Sequence, residues 1–216
     1  MGYSLPFRNR GEAAEYLLQS LRVYRGQNPL VLAIPRGAVP MAARIAEGLG
    51  GEANVVLVRK LRAPHQPELA IGAIDETGHC YLNPYAQGLS IGEEYLEREK
   101  RLQLKTLQER RKLYTPARSQ VDPRERIVIV VDDGIATGST MMAALRALRT
   151  KGPKKLIAAT AVAPPDTLER LRPYADEIVC LEAPLNFQAV GQFFEDFSQV
   201  SDEDVVDLLR ESRHSA

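Results

Sequence analysis

Apolar runs of strand length alternate with segments of helical periodicity along this chain. Buried strands are predicted where these runs occur, near residues 29–34, 53–58, 127–131, 155–162 and 177–181. The run at 127–131 contains only β-branched apolar residues, which is typical of a strand buried on both faces of a parallel sheet. Because helical patterns separate the runs, we predict an α/β fold with a central parallel sheet flanked by helices.

Helical periodicity is clearest in the segments that follow the predicted strands. After residue 138, the apolar residues Met141, Leu145 and Leu148 are spaced i, i+4 and i+7, as on one face of a helix. Residues 10–24 show a similar amphipathic pattern, and a further helix is predicted to end near Leu49. These helices are expected to cover the faces of the sheet.

Two carboxylates and a loop of small residues follow the apolar run that ends at Val131. Asp132 and Asp133 occupy the carboxyl end of the predicted strand, the edge at which open α/β sheets bind ligands. The loop that follows consists of Gly134, Ile135, Ala136, Thr137, Gly138, Ser139 and Thr140. Its glycines let the backbone approach a ligand, and the next helix offers free N–H groups and the positive end of its dipole. We therefore predict an anion site; the alternative is a plain strand-turn-helix joint with an exposed acid pair.

The stretch V-I-V-V-D-D-G-I-A-T-G-S-T resembles the motif with which type I phosphoribosyltransferases bind 5-phosphoribosyl 1-diphosphate (PRPP). In that family the two acids hold the ribose hydroxyls and the small-residue loop holds the 5-phosphate. The resemblance implies a Rossmann-like sheet with a small hood, and transfer of the phosphoribosyl group from magnesium-PRPP to a nitrogen acceptor such as a nucleobase. It also implies catalytic roles for Asp132 and Asp133, and weak Mg²⁺ ligation by both through water or substrate.

Two further strand ends carry residues that match the same family. Arg36 and Gly37 follow the first predicted strand and resemble the family's diphosphate-binding loop. Lys60 follows the second strand within a cluster of cations, where the family places a lysine that neutralises diphosphate. A cation there would bind the substrate and stabilise the charge on the departing diphosphate. The alternative for each is a solvated turn or a solubilising charge cluster.

One residue departs from part of the family and limits the prediction of the acceptor. Members that act on 6-oxopurines carry an acid immediately before T-G in the loop, whereas this chain has Ala136. An adenine, orotate, uracil or unfamiliar acceptor is therefore left open. The family sandwiches the base with the loop after the last strand, and Phe187 is the candidate stacking platform there.

The segment between the second and third predicted core strands is expected to form the hood. Residues 68–75 and 79–82 predict a hairpin, and residues 91–114 predict a long, mostly polar helix. The resemblance implies one domain over residues 1–216, with a hood made by about 63–115 and both termini. The polar helix is interpreted either as a mobile lid or as a packing helix, and a homodimer is left open.

Composition narrows the remaining partners. The 216 residues suit one domain, and 28 basic residues balance 28 acidic residues, so no global field recruits nucleic acid or a membrane. The N-terminus lacks an apolar core of signal-peptide length, and the chain has no apolar run of transmembrane length, so a cytoplasmic protein is expected. Cys80 and Cys180 are interpreted as isolated thiols, and His65 and His79 as solvated residues beside turns.

Two other functions fit the same residues. A regulatory protein that senses PRPP would keep the phosphate site without useful turnover. A phosphohydrolase would use the acid pair to release phosphate without an acceptor.

Overall fold

The computed structural model describes residues 5–64, 66–82, 86, 91–117 and 119–211, without the side chains of Pro67 and Glu68. Its strands are β1 (Leu30–Ala33), β2 (Glu52–Val55), β3 (Val58–Ala63), β4 (Gln66–Asp75), β5 (Cys80–Leu82), β6 (Ile127–Gly134), β7 (Lys155–Val162) and β8 (Glu177–Glu182). Its α-helices are α1 (Arg10–Ser20), α2 (Val39–Leu49), α3 (Glu93–Tyr114), α4 (Ser139–Arg149), α5 (Pro165–Leu171) and α6 (Asp202–Glu211).

The central sheet has the strand order β2-β1-β6-β7-β8, and its neighbouring strands are parallel. Strand β6 lies in the middle and is buried on both faces, as predicted from its β-branched residues. Ile129 and Val131 pack into the apolar layer that contains residues of α1 and α2. Val128 and Val130 pack on the opposite face with residues of α4. The α/β fold class with a central parallel sheet is therefore confirmed.

A second, antiparallel sheet contains β3, β4 and β5 and forms the small hood. The predicted hairpin is present as β4 and β5, which are joined through a turn at residues 76–79. The carboxylate of Asp75 holds this turn by accepting hydrogen bonds from the amides of Thr77 and His79, at 2.9 and 3.0 Å. His79 is exposed, whereas His65 lies outside the described residues.

The prediction of one strand at 53–58 is wrong. The parallel strand β2 ends at Val55, and Val58 begins β3, which pairs with β4 in the hood. Burial alternates along the second half of β3: Leu61 and Ala63 are buried, whereas Arg62 between them is not. Such alternation suits a strand with one packed face better than a strand buried on both sides.

Helix α3 packs against the hood and against α6. Its buried polar residues are hydrogen-bonded, as burial requires. Glu99 accepts hydrogen bonds from the Arg62 amide and from the Gln103 side chain, at 3.2 and 2.9 Å. At its end, the buried Tyr114 hydroxyl donates to Asp202, the first residue of α6. In this structure α3 therefore occupies the position of a packing helix.

The chain after β8 returns to the N-terminal segment. The backbone amide of Phe7 donates to Phe193 O at 2.8 Å, and the Phe7 ring lies 5.7 Å from that of Phe194. Phe193 and Phe194 are both buried in the core. Cys80 and Cys180 are free thiols. Among the described residues, no helix is long and apolar enough to cross a membrane.

Candidate active site

The acid pair lies within the last three residues of β6, at the carboxyl edge of the central sheet. The Asp133 amide donates to Asp132 Oδ1 at 3.1 Å, which fixes one carboxylate against the strand. Desolvation by burial raises the pKa of Asp132 well above its usual range, and the charge of Asp133 adds to this effect. The Asp133 amide and Arg10 oppose the shift. A carboxylate in this position favours a cation or a hydroxyl donor, because either would replace lost solvation.

Asp133 is bound by an arginine that sequence reasoning missed. Arg10 Nε donates to Asp133 Oδ2 at 2.8 Å, and the two side chains are only 13% and 12% exposed. Arg10 Nη1 also donates to Ser198 O at 2.7 Å, and its guanidinium lies 3.9 Å from the Phe197 ring centroid. These contacts fix the arginine on three sides. Because the pair joins residues 123 positions apart, no local pattern could indicate it.

The loop after β1 touches the same carboxylate. A Cβ at Gly37 would lie 2.2 Å from Asp133 Oδ2, so only glycine fits this close approach. The preceding peptide, Pro35–Arg36, is cis. Arg36 Nη1 lies 3.6 Å from Asp202 Oδ2, and its side chain is 40% exposed. The structure thus brings the predicted diphosphate loop and the acid pair together.

The small-residue loop has a buried part and an exposed part. Gly134 is half-buried and Ile135 is buried: a Cβ at Gly134 would lie 2.3 Å from Val190 Cγ1, and the Ile135 amide donates to Val162 O. The exposed residues are Ala136, Thr137 and Thr140. A ligand would therefore reach this loop at residues 136–140 rather than along its whole length.

Helix α4 begins at Ser139, within the last two residues of this loop. Gly138 precedes the helix with φ +75°, a left-handed conformation that glycine adopts without strain. The Thr137 hydroxyl lies 3.3 Å from Ser139 Oγ, so two hydroxyl groups meet at the helix start. Thr167 Oγ1 of α5 donates to Ala136 O at 2.8 Å and supports the loop from behind. The first turn of α4 can therefore offer amide and hydroxyl donors to an anion.

Lys60 approaches the loop from the hood. It lies on β3 opposite Ala73 of β4, rather than in a loop after β2. Together with Thr137 and Ser139 it lines a cavity of about 530 Å³ between the hood and α4. The structure therefore groups Lys60 with the hydroxyls of the loop.

Phe187 lies in the segment after β8, as predicted, and is partly buried. Its ring packs on that of Phe193 with centroids 5.2 Å apart and a tilt of 36°. Phe193 therefore supports one side of the ring.

Comparisons with known proteins identify the family and the fold. The model of the family described as "Phosphoribosyl transferase domain" matches residues 8–197. The chain therefore belongs to the type I phosphoribosyltransferase family. The crystal structure of TT1426 from Thermus thermophilus has a TM-score of 0.89 and 42% identity, and the match covers 96% of this chain and 99% of that one.

Relatives from two strains of Mycobacterium tuberculosis are also similar. "Putative phosphoribosyl transferase Rv0571c" of strain H37Rv and MT0597 of strain CDC 1551 are each 41% identical over 204 residues. Each match covers 94% of this chain and 46% of the relative. The chain thus spans about half the length of these curated relatives.

Proposed function

We propose that this protein transfers the 5-phosphoribosyl group of magnesium-PRPP to a nitrogen acceptor of the nucleobase class and releases diphosphate. The observation that carries the proposal is the meeting of three features at one sheet edge. The acid pair lies near the end of β6, and Gly37 lies against Asp133. The exposed part of the loop begins three residues after Asp133. A ligand with a ribose between two phosphate groups matches this order of carboxylates and anion-binding loops.

The two acids have different roles in this proposal. Asp133 is held by Arg10 and packed against Gly37, so it shapes the floor of the site. Asp132 has a raised pKa and receives the ribose hydroxyls. Their negative charge would also offset the positive charge that develops on the ribose ring as the bond to diphosphate breaks.

The phosphates would lie on either side of the ribose. Residues 136–140 and the start of α4 would bind the 5-phosphate through amide and hydroxyl donors. Arg36 and the loop at Gly37 would bind the diphosphate, and Lys60 would add charge from the hood. In the reaction the bond between C1 and the diphosphate oxygen breaks and a C–N bond forms. The acceptor nitrogen loses its proton, and the diphosphate leaves with the electron pair of the broken bond.

The donor set at the end of β6 suits Mg²⁺. Carboxylate oxygens are hard ligands, and Mg²⁺ commonly binds one or two of them together with substrate phosphates and water. Asp133 Oδ2 already accepts from Arg10, so Asp132 and Asp133 would hold the ion partly through water or substrate. When bound, Mg²⁺ supplies charge that neutralises the diphosphate.

The acceptor would lie between the hood and the segment after β8. Phe187, supported by Phe193, is the proposed stacking surface for its ring. The methyl side chain of Ala136 offers no proton donor or acceptor to a purine ring nitrogen, which argues against a 6-oxopurine. We propose one domain over residues 1–216, in which about 63–115 and both termini form the hood together with β3 (Val58–Ala63). We further propose that the protein acts in cytoplasmic nucleotide metabolism.

Release of diphosphate from magnesium-PRPP tests the function. The protein is incubated with adenine, orotate, uracil and further nitrogen bases, and diphosphate is measured with a coupled assay. Release that depends on one acceptor supports a transferase. Binding of PRPP without release for any acceptor would indicate a PRPP sensor instead, and phosphate release without an acceptor would indicate a phosphohydrolase.

A further inference from the structure

The cavity between the hood and α4 is strongly basic. Among its described lining residues it contains Lys60, Arg146 and Arg170 and no acid. The chain as a whole is neutral, with 28 basic and 28 acidic residues, so this concentration is local. A second cavity, of about 490 Å³ beside Arg10, is the reverse, since four acids line it against one arginine. Of the two, only the cavity at α4 has the charge to hold an anion.

Arg146 is held in place by two tyrosines. Its guanidinium carbon lies 3.6 Å from the ring centroid of Tyr81 on β5 and 4.2 Å from that of Tyr174 beyond α5. It also donates a hydrogen bond to the Tyr174 hydroxyl. Because the rings lie against the planar group, its hydrogen bonds are made at the edge, where bidentate contacts to a carboxylate or phosphate form. A group fixed before binding loses little entropy when the anion arrives.

Arg170 connects the cavity to the small-residue loop. Its Nη2 donates to Thr167 Oγ1 at 2.9 Å, and Thr167 Oγ1 in turn donates to Ala136 O at 2.8 Å. Its side chain is 53% exposed, and the same Nη2 forms a surface ion pair with Asp166 Oδ2 at 3.2 Å, which a bound anion would compete with. Thr137 and Ser139 line the same cavity. The basic cavity is therefore continuous with the loop that would hold the 5-phosphate.

We propose that this cavity binds a small organic anion, through a carboxylate or phosphate held by Arg146 and Arg170. Its volume of about 530 Å³ falls within the ~300–1,000 Å³ of small-molecule sites. Leu69, Met142 and neighbouring alanines give it an apolar floor, which suits an organic body better than a bare inorganic ion. The anion is either an effector or an acidic acceptor that would lie in this cavity instead of against Phe187. Its role rests on the proposed function, whereas the anion site itself does not.

Matched pairs of acid and neutral ligand test the site. Binding of orotate and uracil, nicotinate and nicotinamide, and benzoate and benzamide is measured by calorimetry, with and without magnesium-PRPP. At least one acid is expected to bind about tenfold more tightly than its neutral partner, as one charge-assisted hydrogen bond allows. If no acid is preferred, the proposal is overturned.

Arginine variants locate the preference. Arg170→Gln is expected to remove about tenfold of the acid's affinity and to leave the neutral partner unchanged. Arg172→Gln is the matched control, because Arg172 is nearby, exposed and absent from the described lining of the cavity. Arg146→Gln is expected to weaken binding of the acid in the same way. Arg146→Lys keeps the positive charge but removes the planar group that stacks on the two tyrosines, so it tests these two contributions separately. If Arg172→Gln acts like Arg170→Gln, or if Arg170→Gln weakens PRPP as much as the acid, the assignment is wrong.

The titrations without PRPP distinguish a failure of this proposal from a failure of the proposed function. A protein that binds acids selectively but not PRPP would refute phosphoribosyl transfer and keep the anion site. A protein that binds PRPP without preferring acids would refute the anion site and leave phosphoribosyl transfer standing. Diphosphate release with the bound acid identifies an acceptor, and binding without release identifies an effector.

Discussion

The acid edge, defined as Arg10, Gly37, Asp132 and Asp133, and the basic cavity between the hood and α4 differ in how their charges are arranged. At the acid edge an arginine compensates the carboxylate of Asp133, and Gly37 leaves no space beside it. In the basic cavity the described lining contains three cations and no acid, around an open volume of about 530 Å³. The first region is interlocked with the core, whereas the second is arranged to receive a ligand. Substitutions at the acid edge should therefore change folding and function together, and those at the cavity should change binding first.

Arg10→Ala is expected to have the largest effect on stability. It leaves Asp133 mostly buried without its partner, and breaking such a pair destabilises a protein by roughly 3 kcal/mol. Denaturant unfolding measures the loss. Arg8→Ala is the control, because Arg8 is exposed and no measurable change is expected there. Equal stability of Arg10→Ala and the wild type would show that the acid edge is not interlocked with the core.

Gly37→Ala is expected to weaken PRPP binding by about a hundredfold, because displacing the loop would remove hydrogen bonds to the charged diphosphate, each of which contributes roughly 1.5–3 kcal/mol. The added Cβ would lie 2.2 Å from Asp133 Oδ2, so either the loop or the carboxylate must move. Titration calorimetry with magnesium-PRPP measures the change. Gly92→Ala is the control, because no heavy atom lies within 4 Å of the added Cβ and its φ of −61° is open to any residue. If Gly37→Ala bound PRPP as tightly as the wild type, the loop at Gly37 would not be part of the PRPP site at the acid edge.

Gly134→Ala tests the packing beneath the loop. A Cβ there would lie 2.3 Å from Val190 Cγ1, and overpacking of this kind destabilises by roughly 2 kcal/mol. Thermal unfolding measures the effect. The double variant with Val190→Ala should recover part of the loss, because it removes the overlapping methyl groups. No recovery would mean that the strain lies elsewhere.

Tyr81→Leu is expected to have the smallest effect, about 1 kcal/mol, because it removes one cation–π contact to Arg146. The contact joins β5 of the hood to α4, so hydrogen exchange in residues 66–82 should become faster while that in β6 stays unchanged. Hydrogen exchange that increases equally in residues 66–82 and in β6 would show that the basic cavity and the acid edge are not independent.

Local patterns predicted the parts of the fold that depend on neighbours in sequence. The β-branched run of β6, the hairpin of β4 and β5, and the acid pair with its loop were all visible because each is specified within about fifteen residues. The sequence did not indicate that one strand ends at Val55 and another begins at Val58. The second strand, β3, joins the hood because it pairs with β4, which its own composition does not show. Arg10 was missed because its partner lies 123 residues away. The basic cavity combines side chains from β3, α4 and α5, which only the tertiary fold brings together.

Binding of magnesium-PRPP to a variant with Asp132→Asn and Asp133→Asn tests the central claim most directly. The wild type is expected to bind PRPP in a titration, and the double variant at least a hundredfold more weakly, since two hydrogen-bonded carboxylates each contribute roughly 1.5–3 kcal/mol. Asp207→Asn serves as the control, because Asp207 is exposed on α6. Hydrogen exchange in β6 confirms that the double variant is folded. An affinity for PRPP equal to that of the wild type would contradict the assignment of the acid edge as the PRPP site.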